Sequence, residues 1–386
     1  MALYNLPAEG KSIPNTPFYY YDMRLLGKTL DKVTAEAAKY DYHVHYAMKA
    51  NVESPILNLI SSYGLGADCV SGWEVEAAIN HGFSPDKVVF AGVGKSDYEI
   101  LFALQQGIFA FNCESLQELE VVNELAASAG KVATVALRIN PDVEPDTHKH
   151  ISTGQAESKF GISYTEVDKA LEKINSLDNI RIAGLHFHIG SQILNMDSFR
   201  KLAARVNEIA SWFTSKGVVL EHLNMGGGLG IDYNNPEAQM IPDFESYFRI
   251  FHENLKVSQG QSVHFELGRS IVGQCGELIT RVLYTKESMS GTQYAIVDAG
   301  MTELIRPALY NAHHELENLS ADAERPMLKY YIGGPICESS DMFARDIDFP
   351  QTRRGDIIAI LSAGAYGSIM SSHYNMRPTA KAIFQE

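Results

Sequence analysis

Cysteine is scarce: Cys69, Cys113, Cys275 and Cys337 stand far apart in a chain of 386 residues. None forms the C-x-x-C pair expected of a zinc or dithiol redox site, so free thiols in a reducing cytoplasm are expected. No apolar run approaches the roughly 20 residues that a membrane-spanning helix requires. Met1 to Pro14 lacks the basic-then-apolar pattern of a secretory leader. Positive charge is also short, 32 basic against 47 acidic side chains, a net charge of −15. That balance disfavours nucleic acid or an anionic membrane as partner. It is compatible with a small anionic substrate, because a few local arginines outweigh a distant field. Internal repeats and low-complexity tracts are absent from the sequence.

What is present is an ordinary globular balance, 45% apolar and 20% charged. The length suits two domains, or one barrel of about 250 residues with an appendage. Strand-like runs near 43–48, 66–70, 87–91, 108–112, 132–139, 181–188, 220–225 and 262–266 alternate with amphipathic stretches such as 115–129 and 197–216. Eight strands in that rhythm predict a (β/α)8 barrel, with an open doubly wound sheet as the alternative. After Gly268 strands follow strands, at 277–285, 293–298, 328–332, 356–362 and 380–384. This predicts an α/β chain, a TIM-like barrel plus a C-terminal β-rich domain that includes the N-terminal strand at 18–22. The expected divisions are 1–42, 43–268 and 269–386. The irregular stretch 140–158 follows the fifth strand, where a barrel can carry a lid.

The C-terminal ends of barrel strands share one face, and chemically distinctive residues fall at these ends. Lys49 ends strand one, where partial desolvation lowers an amine's pKa and readies it for a Schiff base; a plain surface lysine is the competing reading. Asp68 ends strand two. His186 and His188 end strand six as a metal pair, as two core histidines, or with His188 flat against a cofactor ring. Gly226-Gly227-Gly228-Leu229-Gly230 follows strand seven, either a tight turn or a phosphate cradle. Glu266, Gly268 and Arg269 end strand eight. A carboxylate there can keep a pyridine nitrogen protonated, or simply pair with Arg269. Cys337 lies in a polar run where a thiol can donate a proton, although buried cysteine is more often a small hydrophobe.

Taken together, Tyr46-Ala47-Met48-Lys49-Ala50-Asn51, His186-Phe187-His188-Ile189-Gly190-Ser191-Gln192, the glycine run and Glu266-Leu267-Gly268-Arg269 resemble the fold-type III pyridoxal-phosphate decarboxylases. Ile305-Arg306-Pro307-Ala308-Leu309-Tyr310, Cys337-Glu338-Ser339 and Gly364-Ala365-Tyr366-Gly367 continue the likeness in order, most closely to the branch acting on meso-2,6-diaminopimelate. The resemblance implies pyridoxal 5'-phosphate joined to Lys49 as a Schiff base, with His188 stacked on its ring and Glu266 at the pyridine nitrogen. Ser191, Gly227 and Gly228 would cradle the phosphate, and Asp68, Gly268, Arg269 and Tyr366 complete the cofactor set. Arg269, Arg306, Tyr310 and Tyr366 would hold the substrate, the arginines and Tyr310 gripping its distal carboxylate and Glu338 its distal ammonium. Cys337 would supply a proton from the neighbouring subunit, making the active site a property of a cytoplasmic homodimer that yields L-lysine and CO2, the last step of lysine biosynthesis. No metal is implied.

Three other classes compete: a metal-dependent barrel hydrolase using His186 and His188, a polyamine-pathway decarboxylase, and a non-catalytic pyridoxal-phosphate carrier. The Arg306 motif speaks against the second, and the second domain and Cys337 loop against the third. Leu267 stands where the family has proline, giving up a fixed φ. Trp73 replaces a residue that is more often small.

Overall fold

The computed structural model describes residues 2–7, 13–143, 159–289 and 291–386; residues 144–158 of the expected lid lie outside them. Two compact units emerge, Thr29–Gly230 with Asp243–Gly268, and Met1–Lys28 with Ile231–Pro242 and Arg269–Glu386. Relative to the expected divisions, Thr29 onward groups with the barrel and Ile231–Pro242 with the other unit.

The first unit is a barrel of eight parallel strands. They are Tyr42–Ala47, Gly66–Cys69, Val88–Phe90, Ala110–Cys113, Ala133–Asn140, Ile180–His186, His222–Asn224 and Ser262–Leu267, numbered one to eight. Each pairs with the next, and strand eight closes on strand one in the register Glu266–His45. Local chemistry starts and stops the crossover helices. Ser96 and Glu99 form a reciprocal capping box before the helix Asp97–Gln106, and Gly107 ends it at φ +70°. Ser71 caps Gly72–Asn80 by accepting the Glu74 N–H.

Alternation along strand eight decides which side chains fill the barrel. Phe265 turns outward, its ring 5.1 Å from Phe248 and 5.0 Å from Phe251 on the covering helix Phe244–Asn254. Its neighbours His264 and Glu266 therefore point inward, one low in the barrel and one at its mouth.

Low in the barrel, buried histidines replace the usual branched apolar layer. Since the Lys87 carbonyl can only accept, His45 Nδ1 carries the proton donated to it at 2.9 Å. His45 Nε2 must then accept from His264 Nδ1 at 2.8 Å, and His264 Nε2 from the Ser262 hydroxyl at 2.8 Å. The rings of His43 and Phe109 stack on His264 at 4.7 and 5.0 Å. Burial lowers the pKa of His45 to about 4 and of His222 to about 3, each also repelled by the other histidines, and lowers His264 further. Above pH 6.5 these rings are neutral folded and unfolded, so they contribute no pH dependence. Below it the unfolded chain takes up protons that the folded one refuses, and stability falls until the folded pKa is reached. Between pH 6.5 and about 5 the loss is about 2 kcal/mol for the first of them. Glu74 and Glu277, raised by burial to about 7, act oppositely over the same range, so native and variant are compared. The His222 Nε2 atom is buried without a partner among the described residues. His222→Leu should exceed the native urea midpoint by more at pH 5 than at pH 7; parallel curves would refute the account.

The second unit is built on one mixed sheet. Its strands run Leu316–Asn318, Ile357–Ile360, Gly276–Glu287, Gln293–Val297, Met327–Gly333 and Met342–Pro350. The N-terminal strand Phe18–Asp22 joins this sheet, antiparallel to Gly276–Glu287 and parallel to Lys381–Gln385. Tyr4, Phe18, Tyr20, Ile279 and Ile357 form its core. Two strands were not anticipated. Leu316–Asn318 has only three residues, and Met342–Pro350 is a sheet edge whose Arg345, Asp346 and Asp348 hide its alternation.

Candidate active site

Strand one ends at Ala47 and runs into a single helical turn, Met48–Ala50, anchored by buried Met48 and Ala50 on either side of Lys49. Lys49 Nζ donates to Asp68 Oδ2 on strand two at 2.9 Å. Asp68 is fully buried, and its Oδ1 has no partner among the described residues. Burial pushes its carboxyl above the usual carboxylate range, Glu266 adds to the rise, and Lys49 opposes it.

Glu266 is the best-held carboxylate of the mouth. Asn224 Nδ2 and Asn112 Nδ2 donate to Oε1 at 2.7 and 3.1 Å, and His186 Nε2 donates to Oε2 at 2.9 Å. Those three bonds use three of a carboxylate's roughly four acceptor positions, leaving one on Oε2. Burial alone would raise the Glu266 pKa, but His186 and then Lys49 outweigh it and hold the group well below the usual range. A buried, ionised acceptor with one open position suits a protonated ring nitrogen.

His188 lies two residues beyond strand six. Its Nδ1 accepts the Gly227 N–H at 3.2 Å, which leaves any ring proton on Nε2. Burial, then Arg138 and Lys49, holds this imidazole well below its ordinary pKa, so it presents a neutral ring. The glycine loop itself is dictated by close approach. A Cβ at Gly227 would run into the Glu266 carbonyl oxygen, and Gly226 sits at φ +66° with the Phe187 carbonyl in the same position. Ile193 bridges Leu229, joining the loop that carries Ser191 to the glycine loop. His186 and His188, which the competing metal reading paired, face different partners, a carboxylate and a backbone amide. Gly268 follows strand eight, its Cα face 3.0 Å short of Ala47 and Ala50 for any added Cβ.

In the second unit two buried guanidiniums share an aromatic setting. Arg269 Nη1 donates to Tyr233 Oη at 2.7 Å, and its guanidinium lies 4.7 Å from the Tyr366 ring. Arg306 lies 4.5 Å from the Tyr233 ring and donates to His314 Nε2 at 2.6 Å. That bond places the His314 proton on Nδ1, which donates to the Leu361 carbonyl at 2.8 Å. Burial and Arg306 lower the His314 pKa to about 3, so the ring is neutral near pH 7. Arg306 is 5% exposed and makes no ion pair among the described residues. Tyr310 closes the short helix Arg306–Tyr310, and Tyr366 stands at φ +56°, unusual for a residue with a Cβ.

Cys337 and Glu338 are exposed on a separate turn. The Cys337 N–H donates to Asn375 Oδ1 at 3.2 Å, and Glu338 Oε1 accepts from the Tyr374 hydroxyl at 2.8 Å. Asp341 staples the turn, accepting the Ile336 N–H at 2.7 Å and the Met301 N–H at 2.6 Å.

Sequence reasoning did not assign roles to Asn112, Asn224, Tyr233, His314 or Asp341. An asparagine two residues before a glycine run was the one available signal, and it is a weak one. Leu267 is buried and keeps the strand pairing opposite Tyr46. Trp73 is exposed, and nothing in the structure explains it.

Residues 26–273 match the family model described as pyridoxal-dependent decarboxylase, pyridoxal binding domain. The diaminopimelate decarboxylase of Bacteroides thetaiotaomicron is 53% identical, covering 95% of this chain and 94% of its own. That of Aquifex aeolicus is 41% identical over 96% of this chain and 87% of its own. The crystal structure of Helicobacter pylori diaminopimelate decarboxylase complexed with L-lysine aligns with a TM-score of 0.90 at 36% identity, covering 96% of this chain and 92% of the other. A viral arginine decarboxylase, 21% identical, shares the fold.

Proposed function

This chain belongs to the family of pyridoxal-dependent decarboxylases, and on that premise we propose that it converts meso-2,6-diaminopimelate to L-lysine and carbon dioxide, the last step of lysine biosynthesis. The observation that carries the chemistry is Glu266, a buried, ionised carboxylate held by three donors with one acceptor position open. The residues of the barrel mouth fit pyridoxal phosphate: the Lys49 amine, that open position on Glu266, and a glycine loop whose close backbone approach admits no Cβ.

When bound, pyridoxal phosphate supplies an electron sink for the electron pair left by departing carbon dioxide. Lys49 would hold the cofactor through its amine, and Asp68 would pair with that amine whenever it is free. His188 offers a neutral ring face. Glu266 would keep a proton on the ring nitrogen, and Ser191, Gly227 and Gly228 would bind the phosphate through a hydroxyl and unobstructed backbone amides. Gly268 keeps the strand-eight turn close to Ala47, and Tyr366 orients Arg269. Arg269, Arg306 and Tyr310 bind the distal carboxylate of the substrate, a group that ornithine and arginine lack. Glu338 binds the distal ammonium, and the Cys337 thiol delivers a proton to the α-carbon. The enzyme acts in the cytoplasm as a homodimer, the Cys337 turn serving the neighbouring subunit; its exposure in the single chain supports that reading.

Purified protein incubated with pyridoxal phosphate and either meso-diaminopimelate or ornithine should form lysine and carbon dioxide from the first alone. Product from ornithine alone would keep the chemistry and overturn the substrate. No product from either would overturn both.

A further inference from the structure

Asn224 hydrogen-bonds both Glu266 and the glycine loop. Its Nδ2 donates to Glu266 Oε1 at 2.7 Å, and its Oδ1 accepts the Gly226 N–H at 2.9 Å. Only one orientation of the amide satisfies both contacts, since a carboxylate cannot donate and an N–H cannot accept. The side chain is 1% exposed, so water does not substitute for either bond. The main chain ties the same two elements again, the Glu266 N–H donating to the Gly226 carbonyl at 2.8 Å. Asn112, by contrast, reaches only the carboxylate; its Oδ1 has no partner among the described residues. His186 likewise engages the other oxygen alone.

We propose that Asn224 is a positioning residue for the cofactor: it sets the spacing between the carboxylate that meets the ring nitrogen and the loop that cradles the phosphate, while Asn112 and His186 orient the carboxylate only. The proposal rests on the cofactor roles assigned above to Glu266 and the glycine loop. Loss of Asn224 should disturb both ends of the cofactor, whereas loss of Asn112 should disturb one. The distinction follows from bonding, because the two asparagines share one acceptor oxygen and differ only in the loop contact.

The test compares holoenzymes loaded with 15N-labelled pyridoxal phosphate, native, Asn224→Ala and Asn112→Ala, without substrate. The ring-nitrogen NMR signal reports protonation, and equilibrium dialysis reports cofactor affinity. Both variants should move the nitrogen signal toward the unprotonated range, and only Asn224→Ala should weaken cofactor binding, by about 10-fold. With substrate, both should lower kcat more than they raise KM. Equal cofactor affinity in the two variants would overturn the spacing role, as would a native-like nitrogen signal in Asn224→Ala. If Asn224→Ala does not fold, Asn224→Gln, which keeps both groups one methylene further out, replaces it in the same comparison. The signal is read without substrate, so a wrong substrate assignment leaves it decisive. A native holoenzyme with an unprotonated ring nitrogen would instead overturn the role of Glu266 itself.

Discussion

Lys49→Ala should lower turnover of meso-diaminopimelate by roughly 10³-fold or more and remove the visible absorption of a cofactor joined covalently to the protein. The expectation is large because no neighbouring group can replace a primary amine at this point. Asp68, the hydrogen-bonded neighbour 2.9 Å away, is an acid rather than a nucleophile for a carbonyl. The fold should survive. Without Lys49, Asp68 loses the partner that holds its pKa down, and burial already favours its neutral form, so it takes up a proton instead of remaining a stranded charge. Cofactor should still bind through the glycine loop and Glu266, non-covalently and more weakly. The checks are steady-state rates and the spectrum of the loaded variant. A retained covalent band would mean that another amine holds the cofactor.

Arg306→Met should cost about 3 kcal/mol of transition-state binding, roughly 10²-fold in kcat/KM for diaminopimelate, with KM taking most of the change. Methionine keeps the stem's packing and deletes the charge that a distal carboxylate needs. The stability consequence has the opposite sign from the usual expectation for a buried arginine. Arg306 is taken out of water with no carboxylate in exchange among the described residues, beside a second guanidinium and against a histidine held neutral. Removing it relieves a desolvation penalty and leaves His314 Nε2 without its donor, two effects of similar size. The melting temperature should therefore stay within a few degrees of native while activity collapses. Unchanged kcat/KM would remove Arg306 from substrate binding; a large drop in melting temperature would mean that the charge is structural.

Much of the architecture was legible along the chain because strand and helix periods differ and the barrel repeats them in one rhythm. Strand seven shows the limit: the run at 220–225 marked it, but only His222–Asn224 is strand. Met342–Pro350 escaped notice because edge strands carry charge on both faces. Lys49, Glu266 and the glycine loop were legible because each combines an unusual residue with a strand end. Asn112 and Asn224 were not, since a polar residue inside a short strand looks the same whether it faces solvent or a buried carboxylate.

By itself the chain of residues determined the order of elements, the switch from crossover helices to consecutive strands after Gly268, and which reactive groups stand at strand ends. Those are local properties, written in spacing and composition. Tertiary structure alone decided the state of each group. Glu266 stays ionised because His186 and Lys49, from strand six and the turn after strand one, converge on it, while Asn112 and Asn224 on strands four and seven hold it in place. Among the described residues Arg306 meets Tyr233 and His314 and no carboxylate, a choice made by the packing around it. Proton affinity depends on solvation and on neighbours distant in sequence, and neither exists until the chain has folded.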